Sequence, residues 1–417
     1  MYYNSEKENN ESIKDGANMS LALSRKAQAV KPSSTLSITA KAKELKEKGI
    51  DVVGFGAGEP DFNTPENICG AAIKAINSGF TKYTPAEGTL ELRKAVCEKF
   101  LKFNNIKYEP NQVVISNGGK HSLTNIFAAI LNPGDEVIIP SPYWLSYPEI
   151  IKLSDGIPVF IRAGKEQNYK VTAEQIEAAC TDKTKALIIN SPNNPTGMIY
   201  TRKELEAIAE VAVKKDFYVV SDEIYENLIY GDDHSFSIAS LNDEIYKRTI
   251  TCNGVAKSYS MTGWRIGYTG SSREIAKLMG SVQSHQTSNP NSIAQKAAYE
   301  ALAGPQDFIF TMNEEFNKRR DYMFERVSKM KLVSAVKPQG AFYLFIDVSQ
   351  SLNKEYNSTK VENLSNLAKF LIEDFNVAVV PCDDFGFPDH IRLSYAISIK
   401  EIEKGMDRMN AFFNKLT

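Results

Sequence analysis

The feature that most limits the fold is an alternation in the middle of the chain. Short apolar runs recur at Val113 to Ser116, Glu136 to Pro140, Ala186 to Asn190, Phe217 to Ser221, Thr249 to Cys252 and Ile266 to Thr269, with helical patterns between most of them. Strands buried on both faces read as continuous apolar runs, and parallel strands need long crossovers, most often helices. The pattern therefore predicts βαβ units and a mostly parallel sheet. Two helix starts are written as capping boxes, Thr172-Ala173-Glu174-Gln175 and Thr201-Arg202-Lys203-Glu204. In each, the hydroxyl takes a first-turn N–H and the fourth residue answers the N–H of the cap. A further helix is expected at Thr64-Pro65-Glu66, with Thr64 as cap and Pro65 at the first helical position. Another should follow Gly88-Thr89, with Leu92, Val96 and Phe100 on one face.

After about residue 300 the pattern changes. A charged helical stretch from Asp307 to Lys331 precedes a strand-like run from Gly340 to Ile346. The last helix carries Ile402, Met406, Met409 and Phe413 at helical spacing, which reads as core. A chain of 417 residues exceeds what one hydrophobic core serves. The expected division is a large domain over 63–300 and a smaller α+β domain over 301–417, with 19–62 as an N-terminal arm and part of the small domain. Residues 1–18 are polar and read as a disordered extension or cloning remnant ahead of a start at Met19.

A net charge of −2 gives no broad footprint for nucleic acid or an anionic membrane. No apolar run approaches the roughly 20 residues of a spanning helix. The five cysteines are scattered, without a C-x-x-C pair, and read as thiols of a cytoplasmic protein. The four histidines are dispersed too, so no metal constellation is expected.

In parallel α/β sheets ligands sit at the carboxyl ends of the strands. The first such end, Ser116-Asn117-Gly118-Gly119-Lys120, meets a helix start: either a phosphate cup or a plain strand–turn–helix joint. It is not a Walker loop, since Val114 and His121 stand where that motif needs glycine and a hydroxyl. The second, Ser141-Pro142-Tyr143-Trp144, offers rings that either stack on a planar group or simply pack. The third runs from Asn190 through Pro192 and Pro195 to Gly197, and its prolines stiffen the loop that presents Asn194. The fourth places Asp222 straight after an apolar strand, as a buried carboxylate or a helix cap, with Tyr225 three residues on. Lys257 lies in a stretch whose only other charge is Arg265. Desolvation and a neighbouring cation both favour the neutral, nucleophilic amine, which can form a Schiff base. Gly54-Phe55-Gly56-Ala57-Gly58-Glu59 lacks the last glycine of a dinucleotide fingerprint, which rules out NAD.

Together these stretches resemble the class I, aspartate-aminotransferase-like pyridoxal-phosphate enzymes, and within them the bacterial aspartate/prephenate subgroup. The resemblance runs from about Leu23 to the C-terminus. It rests on Gly58-Glu59-Pro60-Asp61, Lys82-Tyr83, Gly118-Gly119-Lys120, Ser141 to Trp144, Asn193 to Gly197, Ser221 to Tyr225, Lys257 with Arg265, and Arg392 to Ala396. It implies a seven-stranded sheet, a pyridoxal 5′-phosphate cofactor held by Lys257, and a homodimer with shared sites. Asp222 would pair with the pyridine nitrogen, and Asn194 and Tyr225 with the ring 3-oxygen. Gly119, Lys120 and Arg265 would hold the phosphate, with Tyr83 reaching that of the other subunit. Trp144 would cover the ring, Arg392 would grip the substrate α-carboxylate, and Gly58 would lie against the substrate. One departure stands out: Gly254 occupies a position that is serine in many relatives, so either that contact is missing or Ser258 or another group replaces the hydroxyl.

The resemblance further implies ping-pong transamination. No arginine lies between Arg273 and Arg319, where some relatives read the distal carboxylate. The resemblance to the bacterial subgroup, in which the lysine of the Gly-Gly-Lys motif does that work, points to Lys120, the alternative being a lysine merely near the phosphate. Lys31 to Thr35 resembles the segment of prephenate-accepting enzymes, with Thr35 helping to close the site. Aspartate and glutamate with 2-oxoglutarate or oxaloacetate are the expected substrates, and prephenate a further acceptor. The alternatives are an aminotransferase for aromatic or neutral amino acids, or a C–S β-lyase. The same fold also serves as the sensing module of some transcription regulators, but the short polar N-terminal stretch is too small for a winged helix.

Overall fold

A computed structural model describes residues 21–231 and 233–417, so the extension expected over 1–18 lies outside the described residues. Residues 21–32 carry one short helix, Arg25–Gln28. The rest of the chain is organised around two sheets.

Among the described residues fifteen strands are numbered in chain order. Seven of them form the larger sheet: β2 (Val113–Ser116), β3 (Glu136–Ser141), β4 (Ile157–Arg162), β5 (Thr184–Asn190), β6 (Tyr218–Asp222), β7 (Thr249–Gly254) and β8 (Gly267–Gly270). Their spatial order is β2-β8-β7-β6-β5-β3-β4, and β8 alone runs antiparallel to its neighbours. Consecutive residues of one strand enter different cores. Ile139, Ile188 and Val220 pack on one side, and Ile138, Leu187 and Val219 on the other. Helices cover both faces, which is why these strands read as unbroken apolar runs.

The strands expected from the apolar runs are all present, but β4 was not among them. It is an edge strand with exposed or half-buried side chains, and although Ile157, Val159, Phe160 and Ile161 are apolar, Pro158 within the run argues against a strand in the sequence alone. Both capping boxes form as written, on the helices Ala173–Ala179 and Arg202–Lys215. Thr89 caps Leu90–Asn104. Thr64 does not cap the helix Glu66–Asn77: Pro65 takes the cap position, and the Thr64 hydroxyl donates instead to the Ser260 carbonyl (2.7 Å).

The smaller sheet is antiparallel, in the order β14 (Val380–Pro381), β15 (His390–Ser394), β10 (Tyr343–Asp347) and β9 (Ser334–Ala335). It packs with the helices Asp307–Ser328 and Ile399–Asn414, where Ile402, Met406, Met409 and Phe413 are all buried. An N-terminal strand, β1 (Val53–Gly54), pairs in parallel with β13 (Val377–Ala378). It thereby brings the loop Phe55–Asp61 beside Arg392 of β15, since Phe55 O accepts from Ser394 N (2.9 Å). A two-stranded hairpin, β11 (Glu355–Tyr356) with β12 (Thr359–Lys360), completes the set. Among the described residues no helix is long and apolar enough to cross a membrane.

Candidate active site

The carboxyl ends of β3, β5, β6 and β7 open on one cavity of about 430 Å³. Its walls include Thr35, Gly58, Gly119, Lys120, Trp144, Asn194, Asp222, Tyr225, Lys257, Arg265 and Arg392. Of the residues assigned a cofactor or substrate contact by the resemblance, Tyr83 lies elsewhere, 91% exposed. A second cavity, of about 520 Å³, is larger but holds Glu59 as its only titratable group.

Asp222 and Asn190 are register partners on β6 and β5. The Asn190 amide donates to the Asp222 carbonyl (2.9 Å), and its oxygen accepts from Asn194 N (2.8 Å). The loop with cis Ser191–Pro192 and Asn194–Pro195 bonds is thus tied to the sheet at Asn194. The Asp222 carboxylate is buried and accepts from the Tyr147 hydroxyl (2.7 Å) and Ile224 N (3.2 Å). Burial pushes it up to about 6, against Tyr147, the Ile224 N–H and Lys257, which favour the anion. It is therefore a carboxylate inside an enclosed wall that lacks a full counter-charge.

Lys257 follows β7, and its ammonium donates to the Gly58 carbonyl and faces the rings of Phe342 (5.7 Å) and Tyr225 (5.9 Å). Burial is the main reason that it is lowered to about 8. Glu59 and Asp222 oppose the shift, while Arg392 and Arg265 add to it. The amine is thus neutral for part of the time near physiological pH, as a nucleophile or proton carrier must be.

The two guanidiniums stand differently. Arg392 is 2% exposed; it donates to Asn194 Oδ1 (3.0 Å) and Gly56 O (3.4 Å) and lies over the Tyr343 ring (4.3 Å). Its Nε has no partner, and it forms no ion pair with any described carboxylate. Arg265 is exposed and donates to the carbonyls of Thr262 (3.0 Å) and Asn117 (3.5 Å). It packs on Gly118, where φ is +86° and an added Cβ would stand 2.4 Å from Nη2. The positive φ is what favours glycine there, since the end of the Arg265 side chain could move aside. The helix Gly119–Ile130 starts at that point, and its first-turn N–H groups have no acceptor within the helix. Lys120, exposed, places its ammonium 5.0 Å from the Trp144 ring centre, and burial followed by Arg265 lowers it.

Ser258 does not stand in for the serine absent at Gly254. A Cβ there would stand 2.9 Å from the Ile266 carbonyl, so the strand pairing leaves no room for a side chain. Ser258 is 1% exposed, accepts from the Asn227 amide (3.1 Å) and is not part of the cavity wall. Two site residues escaped the sequence reading, Tyr147 on Asp222 and Tyr343, whose hydroxyl lies 3.1 Å from that of Tyr225. Nothing in their local sequence marks them, since only the tertiary fold turns them inward.

The family model of class I and II aminotransferases matches residues 50–409. The chain belongs to that family. It is 51% identical over 390 residues to an aspartate aminotransferase of Bacillus sp. strain YM-2, covering 94% of this chain and 98% of that one. It is 48% identical to the aspartate/prephenate aminotransferase of Cereibacter sphaeroides, covering 92% and 96%. The crystal structure of the aspartate aminotransferase from Rhizobium meliloti superposes with a TM-score of 0.92 at 39% identity, covering 95% and 100%. The Thermus thermophilus aspartate aminotransferase with maleate superposes at 0.88 and 43% identity, covering 94% and 100%.

Class I and II aminotransferases use pyridoxal phosphate, and the residues present fit it. A near-neutral amine, a buried carboxylate short of counter-charge, and a glycine-lined helix start beside a guanidinium suit the aldehyde, the pyridine nitrogen and the phosphate respectively.

Proposed function

We propose that this aminotransferase exchanges the amino group between L-aspartate or L-glutamate and 2-oxoglutarate or oxaloacetate, with prephenate as a further acceptor. The observation that carries the reading is the pairing, in one cavity, of a buried Arg392 without a carboxylate partner and a second cation, Lys120. A dicarboxylic amino acid has one negative group for each. The maleate in the Thermus thermophilus structure is likewise a four-carbon dicarboxylate.

Arg392 binds the α-carboxylate bidentately, with Asn194 and the Gly56 carbonyl fixing its fork. Lys120 meets the distal carboxylate, and Trp144 and Gly58 bound the substrate's faces. Bound pyridoxal phosphate supplies an electron sink for charge developing at the α-carbon. Asp222 would pair with the pyridine nitrogen and favour its protonated form, and Tyr147 would hold that carboxylate ionised and aimed. Asn194 and Tyr225 would hydrogen-bond the ring 3-oxygen. Gly119, Lys120 and Arg265 would hold the phosphate, the first two through backbone N–H. Lys257 Nζ takes the α-proton from the donor and gives it up again, a transfer that needs the neutral amine. Thr35, on the helix Ser34–Glu47, closes the mouth of the cavity over a larger acceptor.

The reading extends to a homodimer in which Tyr83, exposed and outside the wall of its own cavity, reaches the phosphate of the partner's site. It also assigns 63–300 to a cofactor-binding domain and 301–417, completed by part of 19–62, to a small domain; the β1–β13 pairing supports the second assignment. A cytoplasmic location is in keeping with five free cysteines.

The test has two parts. Borohydride reduction of the loaded protein should label Lys257, and labelling of another lysine removes the assigned roles. Steady-state rates on a donor panel with 2-oxoglutarate, oxaloacetate and prephenate should favour aspartate over phenylalanine by about 10²-fold or more. Ammonia release without an oxo acid would make the enzyme a lyase instead.

A further inference from the structure

The turn that follows β6 has two faces. Asp222, Ile224 and Tyr225 belong to the cavity wall. Glu223 and Glu226 alternate with them in sequence, do not line the cavity, and are 2% and 8% exposed. They enter a polar pocket behind the site, built by the end of the helix Leu90–Asn104. There Lys99, itself buried, pairs with Glu226 Oε1 and donates to Asn104 Oδ1 (2.8 Å). The Asn104 amide in turn bridges the two carboxylates, donating to Glu226 Oε2 (2.7 Å) and Glu223 Oε2 (3.2 Å). Glu223 Oε1 accepts from the hydroxyls of Ser221 (2.8 Å) and Ser237 (2.6 Å). All four carboxylate oxygens are therefore occupied.

This arrangement is costly for a mere filler. Burying an ion costs several kcal/mol after relaxation, and apolar side chains of similar volume often do as well or better. Two acids and one ammonium also leave an odd negative charge, and burial together with Glu226 pushes Glu223 up to about 7. A fully bonded buried network does offer direction, because each member accepts one geometry. Here that direction is passed to a five-residue segment, Asp222 to Glu226, whose other face carries two groups of the site.

We propose that Lys99 and Asn104 are positioning residues for transamination: by holding Glu223 and Glu226 from behind, they fix where the Asp222 carboxylate and the Tyr225 hydroxyl stand in the cavity. The proposal rests on the reading above, in which those two groups contact the cofactor.

Two variants of the cofactor-loaded enzyme test it. Lys99→Met combined with Glu226→Gln removes the ion pair as a neutral unit, and Asn104→Ala removes the bridge alone. Each should lower kcat about tenfold or more, since small displacements of reacting groups are expensive. KM for the amino donor should stay within about twofold, because the donor's carboxylates are bound elsewhere. The pH midpoint of the bound cofactor's visible absorbance should move, and cofactor should dissociate more readily on dialysis. Variants that melt earlier while keeping the wild-type kcat per bound cofactor and the same midpoint would show a structural role only and overturn the proposal. Should the double variant not fold, Asn104→Ala decides by the same measurements. A wild-type protein that binds no cofactor would overturn the underlying reading as well, so the two failures are distinct.

Discussion

The two ends of the cavity are both cationic, and they are built in opposite ways. At one end Arg392 comes from the middle of an antiparallel strand, is almost fully buried, and has two of its nitrogens already committed to Asn194 and Gly56. Aromatic rings of Tyr343 and Phe385 lie against it. At the other end Lys120 stands in the first turn of a helix, exposed, with the Trp144 ring as its nearest described support. The first end is assembled before any substrate arrives. The second is a flexible point charge with three rotatable donors. A group common to every α-amino acid belongs at the rigid end, where ordering costs least. The group that differs between amino acids belongs at the adaptable end.

The largest expected effect comes from breaking the rigid end. Arg392→Ala should lower kcat/KM about 10²- to 10³-fold, as loss of a buried charge partner does, and by similar factors for aspartate, alanine and phenylalanine. Arg392→Lys should recover little of this, because an ammonium cannot reproduce the planar fork. A loss confined to dicarboxylates would reverse the assignment of the two ends.

A smaller and selective effect should follow from the adaptable end. Lys120→Ala should cost about 10- to 10²-fold on aspartate and glutamate, the scale of one charged hydrogen bond, and under about threefold on alanine or phenylalanine. Equal losses across the panel would place Lys120 on the phosphate alone and remove the argument for dicarboxylate preference.

The same contrast explains what the sequence made legible. The parallel strands could be read directly, because residues such as Ile138 and Ile139 are buried on opposite faces of one strand. The edge strand β4 could not, because Pro158 interrupts an otherwise apolar run and is a poor strand residue. Capping boxes are local and were readable, whereas Thr64 was drawn from its cap by a partner 196 residues away. At the site, Lys257 and Asp222 stand out because a charge beside apolar residues is conspicuous. Arg392 shows nothing locally and was found only through the resemblance carried by the residues that follow it. Tyr147 and Tyr343 reach the site through helix packing and sheet pairing, and neither leaves a trace in nearby sequence. That Ser258, one of the alternatives for the hydroxyl absent at Gly254, is turned away is equally invisible in nearby sequence, since its hydroxyl is held by Asn227.

The finest separation of the two ends is electrostatic. Burial, with the Arg392 and Arg265 guanidiniums, lowers the Lys257 amine to about 8, and Lys120 is not among the largest influences on it. Capture of pyridoxal phosphate by the apoprotein needs the neutral amine. The capture rate should therefore rise about tenfold per unit as pH approaches the midpoint from below, and level off above about 8. Removing a cation that disfavours the protonated amine makes protonation easier, so Arg392→Ala should move the midpoint upward and slow capture at pH 7. Lys120→Ala should leave the midpoint where it is. Stopped-flow capture rates across pH 6 to 10, roughly spanning the ordinary and lowered lysine values, would show both directions. A midpoint that follows Lys120 and ignores Arg392 would mean that the exposed end, not the buried one, sets the reactivity of the amine.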